Sequence, residues 1–176
     1  MTQIIGIHGI MGSGKSTFAN LLSKKLEGTV TILPFAKSLK DFALALGWDG
    51  EKNEKGRRLL QLLGTDVGRQ CISETIWIEK WVDAVMECGS DFIIADDMRF
   101  ENELDVVKEF EGYKIKIDGR GYHQPTWMEK KFPFLKKQHA SEVQISDSKF
   151  DILVDNSGEV KHLDDYLQLI KEKING

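Results

Sequence analysis

Apolar and polar positions along the chain fall into two alternating rhythms. Short runs rich in β-branched residues occupy 3–7, 29–33, 91–95, 113–117 and 151–154, and each reads as a strand. Between them, apolar residues recur at three- and four-residue spacing. That spacing predicts helices near 15–26, 36–46, 55–71, 75–88, 100–110 and 160–173. In the first of these the apolar positions are 18, 21, 22 and 26. Strands separated by helices imply an α/β fold: a mainly parallel sheet with helices on both faces. Phe92-Ile93-Ile94-Ala95 and Ile152-Leu153-Val154 are nearly continuous apolar runs, as strands covered on both faces should be. Ligands of such sheets sit beyond the carboxyl ends of the strands, so the residues that follow each strand carry the chemical information.

Two stretches depart from the alternation. Residues 35–81 form a long helical insertion between the second and third strands. Residues 118–147 hold two of the three prolines and many charges, and a connection that long in a compact domain is expected to be a functional lid or a mobile segment. The expected organisation is a single domain with a core of 1–34, 82–117 and 148–176. No internal repeat or low-complexity tract is present.

Directly after the first strand comes Gly9-Ile10-Met11-Gly12-Ser13-Gly14-Lys15-Ser16-Thr17, which contains the full G-x-x-x-x-G-K-[ST] pattern. The spacing has a mechanism. Glycines let the backbone wrap so that successive N–H groups point at phosphate oxygens. Lys15 reaches the β- and γ-phosphates, the Ser16 hydroxyl is placed to ligate Mg²⁺, and the helix that opens there adds the positive end of its dipole. The strand–loop–helix context is the one a phosphate-binding loop requires. We therefore expect Gly9, Met11, Gly12, Ser13, Gly14, Lys15, Ser16 and Thr17 to line a nucleoside triphosphate.

Phe92-Ile93-Ile94-Ala95-Asp96-Asp97-Met98-Arg99 is the second signal. An acidic residue at the end of a buried strand can face Ser16 and serve the metal or the attacking group. Asp96 and Asp97 are both candidates for that role, and the spacing does not choose between them. Arg99 follows closely enough to meet a substrate phosphate. The insertion adds Lys37, Lys40, Arg57, Arg58 and Arg69, of which two or three are expected to clamp a phosphate; arginine does this in bidentate fashion. Arg120 in the 118–147 segment is suited to stabilising charge on a transferred phosphoryl group. Trp77 and Trp81, four residues apart, read as a core-facing aromatic pair. Asn156-Ser157-Gly158 follows the last strand and either borders the nucleotide base or leads into the final helix.

Composition narrows the partners. The chain has 176 residues, 41% of them hydrophobic and 30% charged, with a net charge of −4, and its pI is about 5.6. That balance argues against binding a nucleic-acid polymer, which needs a basic excess, and leaves room for a small anionic substrate. No apolar run approaches the length of a bilayer span. The first strand begins at once, so no leader is expected and the expected location is cytoplasmic. Cys71 and Cys88 are read as reduced thiols.

The combination of motifs is identifiable. Beside the phosphate loop stand Phe35-Ala36-x-x-Leu39-Lys40, Leu60-Gln61-Leu62-Leu63-Gly64-Thr65-Asp66-x-Gly68-Arg69, Asp97-Met98-Arg99-Phe100-x-Asn102-Glu103 and His139-Ala140-Ser141-Glu142. Together they resemble the phage-type deoxynucleoside monophosphate kinases of the P-loop nucleoside monophosphate kinase group, over nearly the whole chain. The resemblance implies a five-stranded parallel sheet in a three-layer P-loop fold. It implies transfer of the ATP γ-phosphate, with Mg²⁺, to a deoxynucleoside monophosphate. It also implies acceptor contacts from Phe35, Lys40, Thr65, Arg69, Asp97, Arg99 and Glu142, catalytic roles for Lys15, Asp97, Arg99 and Arg120, a metal held at Ser16 and Asp97, and Asn156 at the nucleotide. A homodimer is one assembly it allows. The chain departs from the pattern at Lys37-Ser38, where an acidic-proline pair is expected, and at Gly121, where proline is expected. Two rivals share the phosphate loop: a kinase of another small phosphorylated acceptor, such as dephospho-coenzyme A, and a nucleotide-binding switch. The chain lacks the guanine-specificity motif N-K-x-D of the latter.

Overall fold

The computed structural model describes residues 2–119, 145–157 and 161–175. Five strands form one sheet: β1 (Gln3–His8), β2 (Val30–Ile32), β3 (Phe92–Met98), β4 (Tyr113–Asp118) and β5 (Ile152–Asp155). Their spatial order is β2-β3-β1-β4-β5, and every pairing is parallel. The α-helices among the described residues are α1 (Lys15–Ser23), α2 (Lys37–Ala45), α3 (Glu54–Gln61), α4 (Ile76–Cys88), α5 (Glu101–Glu109) and α6 (Lys161–Asn175). The expected three-layer α/β architecture is present.

Side-chain alternation along the strands divides the core in two. Ile5, Ile7, Phe92, Ile94, Ile115 and Ile117 pack with Phe18 and Leu22 of α1 and with Leu163, Leu167 and Ile170 of α6. Ile4, Ile93 and Ala95 point the other way, into Ile78, Trp81 and Val85 of α4 and Leu104 and Val107 of α5. Each fully buried aliphatic side chain of this kind is worth roughly 1.5–3 kcal/mol relative to exposure. Trp81 fits the expected core role. Its ring stacks on Phe35 at 4.3 Å and its indole N–H donates to Leu33 O at 2.9 Å.

Three details differ from the pattern-based expectation. First, β5 lies at the sheet edge, and Leu153 is 47% exposed, so this strand is covered on one face only. Second, the helix expected over 55–71 changes type. The α-helix ends at Gln61 and a π-helical segment runs over Leu62–Ile72. Gly64 lies within this segment, and its carbonyl accepts the Trp77 indole N–H at 2.8 Å. At Gly68 a Cβ would stand 2.6 Å from that same indole nitrogen. Two glycines and one tryptophan thus dock the wide helix onto α4, and π-helical stretches concentrate at functional sites. Third, the sequence pair 96–97 sits at a register shift. Gly6 pairs with Ala95, but His8 pairs with Met98, so β3 carries one extra residue there, a β-bulge. His8 Nδ1 lies 3.1 Å from Met98 O across the shift.

Candidate active site

The site lies at the carboxyl ends of β1 and β3. Gly12 and Gly14 have φ of +82° and +94°, the left-handed region that glycine favours, and these set the curl of the loop between β1 and α1. A Cβ on Gly14 would also stand 2.5 Å from Asn156 Nδ2. The Asn156 amide donates to Ser13 O at 2.8 Å and is buried. Asn156, expected beside the nucleotide, therefore braces the phosphate loop from β5. Ser13 Oγ is buried, with no hydrogen-bond partner among the described residues. Met11, Ser16 and Thr17 are exposed along the loop mouth.

Lys15 runs back under the loop. Its Nζ donates to Gly9 O at 2.6 Å and Ile10 O at 2.8 Å. Burial, then the Arg99 guanidinium, push its ammonium down to about 8, against the opposing pull of Asp96 and Asp97. Two cations and two carboxylates therefore feel one another at the head of α1. Arg99 forms no side-chain hydrogen bond or ion pair among the described residues, which leaves its guanidinium available to an anion.

The parity of β3 decides between the two aspartates. Asp96 continues the alternation of Phe92 and Ile94 toward the α1 side, and Ser16 Oγ donates to its Oδ2 at 2.5 Å. Asp97 turns the other way. Its carboxylate accepts Phe35 N at 2.7 Å and Ala36 N at 3.2 Å, tying β3 to the start of the insertion. Burial raises the Asp97 carboxyl above its ordinary range, with Lys40 opposing. The expected Ser16–Asp97 pairing is thus a Ser16–Asp96 pairing, because the alternation of β3 points only Asp96 at the phosphate loop.

On the insertion side, Thr65, Arg69, Gln70, Glu74, Phe100 and Asn102 line a pocket of about 480 Å³ between the π-helical segment and the turn from β3 to α5. Arg69 is held on three sides. Nη2 donates to Glu103 Oε1 at 2.9 Å, Nη1 donates to Glu74 O at 3.2 Å, and the guanidinium lies 4.0 Å over the Phe100 ring. The structure brings together Lys15, Ser16, Asp96, Asp97 and Arg99, with Thr65 and Arg69 in the adjoining pocket. It does not bring the Phe35 side chain there: that ring is buried against Trp81, and only its N–H reaches the site through Asp97. Lys37 pairs with Asp41 on the surface, and Arg57 and Arg58 are exposed on α3. Arg120, His139 and Glu142, and most of the expected lid, lie outside the described residues.

Sequence reasoning gave no role to Glu103, Phe100, Gln70, Glu74 or Asn102. One signal was available for Glu103. It stands three residues after Phe100, the residue that caps α5, which is the capping-box spacing for a glutamate.

The site is that of a phosphate-loop phosphotransferase, and comparison with known proteins gives the family. A model of the deoxynucleotide monophosphate kinase family matches residues 48–167, and the chain belongs to that family. It is 28% identical over 194 residues to a putative deoxynucleotide monophosphate kinase of Acanthamoeba polyphaga mimivirus, covering 95% of this chain and 94% of the viral protein. A deoxynucleoside-5'-monophosphate kinase of Escherichia phage T5 is 36% identical over 53 residues, 30% of this chain and 21% of the phage protein. Among solved structures, the Mycobacterium tuberculosis APS kinase aligns over 99% of this chain and 98% of its own, with a TM-score of 0.50 and 13% identity. That last likeness establishes the shared fold.

Proposed function

We propose that the protein transfers the γ-phosphate of Mg·ATP to a deoxynucleoside monophosphate, giving the deoxynucleoside diphosphate and ADP. The observation that carries this reading is the placement of the Ser16–Asp96 pair and Lys15 at the phosphate loop, within electrostatic reach of Arg99, which has no side-chain partner among the described residues and is followed in the chain by Phe100 of the pocket. On this reading, donor and acceptor halves meet at the end of β3.

The residues present fit a magnesium ion. Ser16 hydroxyl and Asp96 carboxylate are hard oxygen donors, close together and open to solvent. Magnesium takes one or two such ligands and completes its shell with phosphate oxygens and water. When bound, it neutralises charge on the β- and γ-phosphates. The protein's own groups do the remainder. The loop amides wrap the phosphates. The Lys15 ammonium exchanges its two carbonyl partners for phosphate oxygens. Asp96 orients Ser16, and Arg99 meets the acceptor phosphate and offsets charge building on the transferred group. Asp97 holds the start of the insertion against β3, which fixes the acceptor half in line with the donor half. Such transfer needs positioning and charge stabilisation more than proton transfer. A deoxynucleotide kinase acts where free nucleotides are, so the cytoplasm of a cell, a phage-infected one included, is the proposed location.

An ADP-release assay over the four common deoxynucleoside monophosphates, with and without Mg²⁺, tests the reading. Turnover with at least one of them, abolished by chelation, is expected. Turnover with other phosphorylated acceptors and none with these would contradict it.

A further inference from the structure

One carboxylate at the edge of the acceptor pocket is held more elaborately than any role described so far requires. Glu103 is 3% exposed, although glutamate is almost never buried unless paired. Its Oε1 accepts Arg69 Nη2 at 2.9 Å. Its Oε2 accepts two backbone donors, Arg99 N at 2.6 Å and Phe100 N at 3.0 Å. Arg69 belongs to the π-helical segment of the insertion, whereas Arg99 and Phe100 form the turn that leaves β3. Glu103 therefore joins the two walls of the pocket across the seam between insertion and core.

Capping accounts for only part of this arrangement. The bond to Phe100 N closes half a capping box; the phenyl ring of Phe100 offers no acceptor for the other half. The Arg69 pair adds nothing to the cap, and burying an ion pair is a weak source of stability. What the pair does do is orient a guanidinium that lines the pocket while the same carboxylate sets the backbone from which Arg99 projects.

Building on the proposed deoxynucleotide kinase activity, we infer that Glu103 is a positioning residue of the acceptor site. It holds the Arg69 wall and the Arg99 backbone in one register: acceptor affinity depends on the charge of its carboxylate through Arg69, while the transfer step needs only the backbone bonds to Arg99 and Phe100, which an amide oxygen also makes.

The protonation behaviour of Glu103 supplies an independent readout. Burial raises its carboxyl to about 7, and Asp97 adds to the rise; the N–H groups of Arg99 and Phe100 and the Arg69 guanidinium oppose it. These are the groups that face it from β3, the β3–α5 turn and the π-helical segment. A proton on Oε1 sets O–H against the Arg69 N–H and breaks that bond. Glu103→Gln reproduces the protonated state at every pH, because its amide oxygen still serves the two backbone donors while its NH₂ faces Arg69.

Steady-state kinetics of the full chain, from pH 6 to 8, with a deoxynucleoside monophosphate as varied substrate, tests this. At pH 8 the acceptor KM of E103Q is expected to rise about tenfold, the scale of one lost charge-assisted hydrogen bond. The kcat and the ATP KM are expected to stay within about twofold. The wild-type acceptor KM is expected to climb toward the variant's value as pH falls to 6, while the variant shows only the titration of the acceptor's own phosphate. Arg69→Met, which keeps an apolar stem over Phe100, serves if E103Q does not fold, and it is expected to raise the acceptor KM with the same flat profile. An unchanged acceptor KM in the folded variant, or a fall in kcat at constant acceptor KM, overturns the role given to Glu103. Wild-type protein that phosphorylates none of the deoxynucleoside monophosphates overturns the proposed activity as well.

Discussion

The Ser16 hydroxyl donates to Asp96 Oδ2 across 2.5 Å, although the two residues stand 80 positions apart in the chain. This contact joins the head of α1 to the end of β3, and it separates the duties of two adjacent aspartates. Asp96 faces the phosphate loop; Asp97 holds backbone amides of the insertion.

That division has opposite consequences on substitution. Asp96→Asn is expected to lower kcat or Mg²⁺ affinity about 10- to 100-fold, as loss of a metal-supporting carboxylate does, with the melting temperature nearly unchanged because the pair is exposed. Asp97→Asn is expected to cost about 1–3 kcal/mol of stability, because an amide NH₂ would then face one of the two backbone donors. Kinetics at varied Mg²⁺ alongside denaturant unfolding distinguish the two. Equal behaviour of both variants contradicts the assignment.

Lys15 links nucleotide binding to protons. Its ammonium titrates at about 8 in the protein alone, and triphosphate oxygens beside it restore the charged form. At pH 8, binding of Mg·ATP is expected to take up about half a proton. Calorimetry in two buffers of different ionisation enthalpy reads this directly. Lys15→Arg, charged throughout, is expected to remove the buffer dependence; a wild-type binding heat independent of buffer counts against the environment described.

The brace from β5 should act on the nucleotide alone. Asn156→Ala removes the bond to Ser13 O, worth about 1 kcal/mol. The ATP KM is expected to rise several-fold and the acceptor KM to stay put. Gly14→Ala combines an unfavourable φ of +94° with a Cβ 2.5 Å from the Asn156 amide, so it is expected to abolish nucleotide binding. Wild-type ATP affinity in Gly14→Ala would contradict the loop geometry.

Glu103 leaves a mark on stability with a definite sign. Its carboxyl titrates at about 7 in the folded chain against 4.5 ordinarily, so between those values the folded state binds more protons than the unfolded state. Its contribution is full below pH 4.5 and is lost as pH rises through 7. The wild-type unfolding free energy, measured against that of Glu103→Gln, is expected to decline across this window. Subtracting the variant removes the part that the raised Asp97 carboxyl adds in the same direction. A difference that grows with pH would be the wrong sign.

Much of this molecule is readable from its residues, for identifiable reasons. The phosphate loop is legible because its chemistry demands fixed spacing, and the strands because two covered faces demand continuous apolar runs. The choice between Asp96 and Asp97 is not legible in the same way. Both faces of β3 are apolar, so the run gives no indication which parity points at α1, and the extra residue opposite Gly6–His8 is a property of pairing with another strand. The π-helix escapes for a similar reason. Residues 55–71 keep helical spacing, and the contact that accompanies the widening, Trp77 reaching Gly64 O, comes from an element away. Arg69 is visible as a cation in a motif, but its triple restraint by Glu103, Glu74 and Phe100 exists only once the insertion folds back on the β3–α5 turn.

The most direct test of the central claim follows the phosphoryl group itself. The protein is incubated with Mg²⁺, ATP labelled in the γ-phosphate and each deoxynucleoside monophosphate, and the products are separated. The label is expected in a deoxynucleoside diphosphate, in an amount equal to the ADP formed, and to appear there about 10- to 100-fold more slowly in Asp96→Asn. Label that appears only as inorganic phosphate, or remains in ATP with every acceptor, would contradict it.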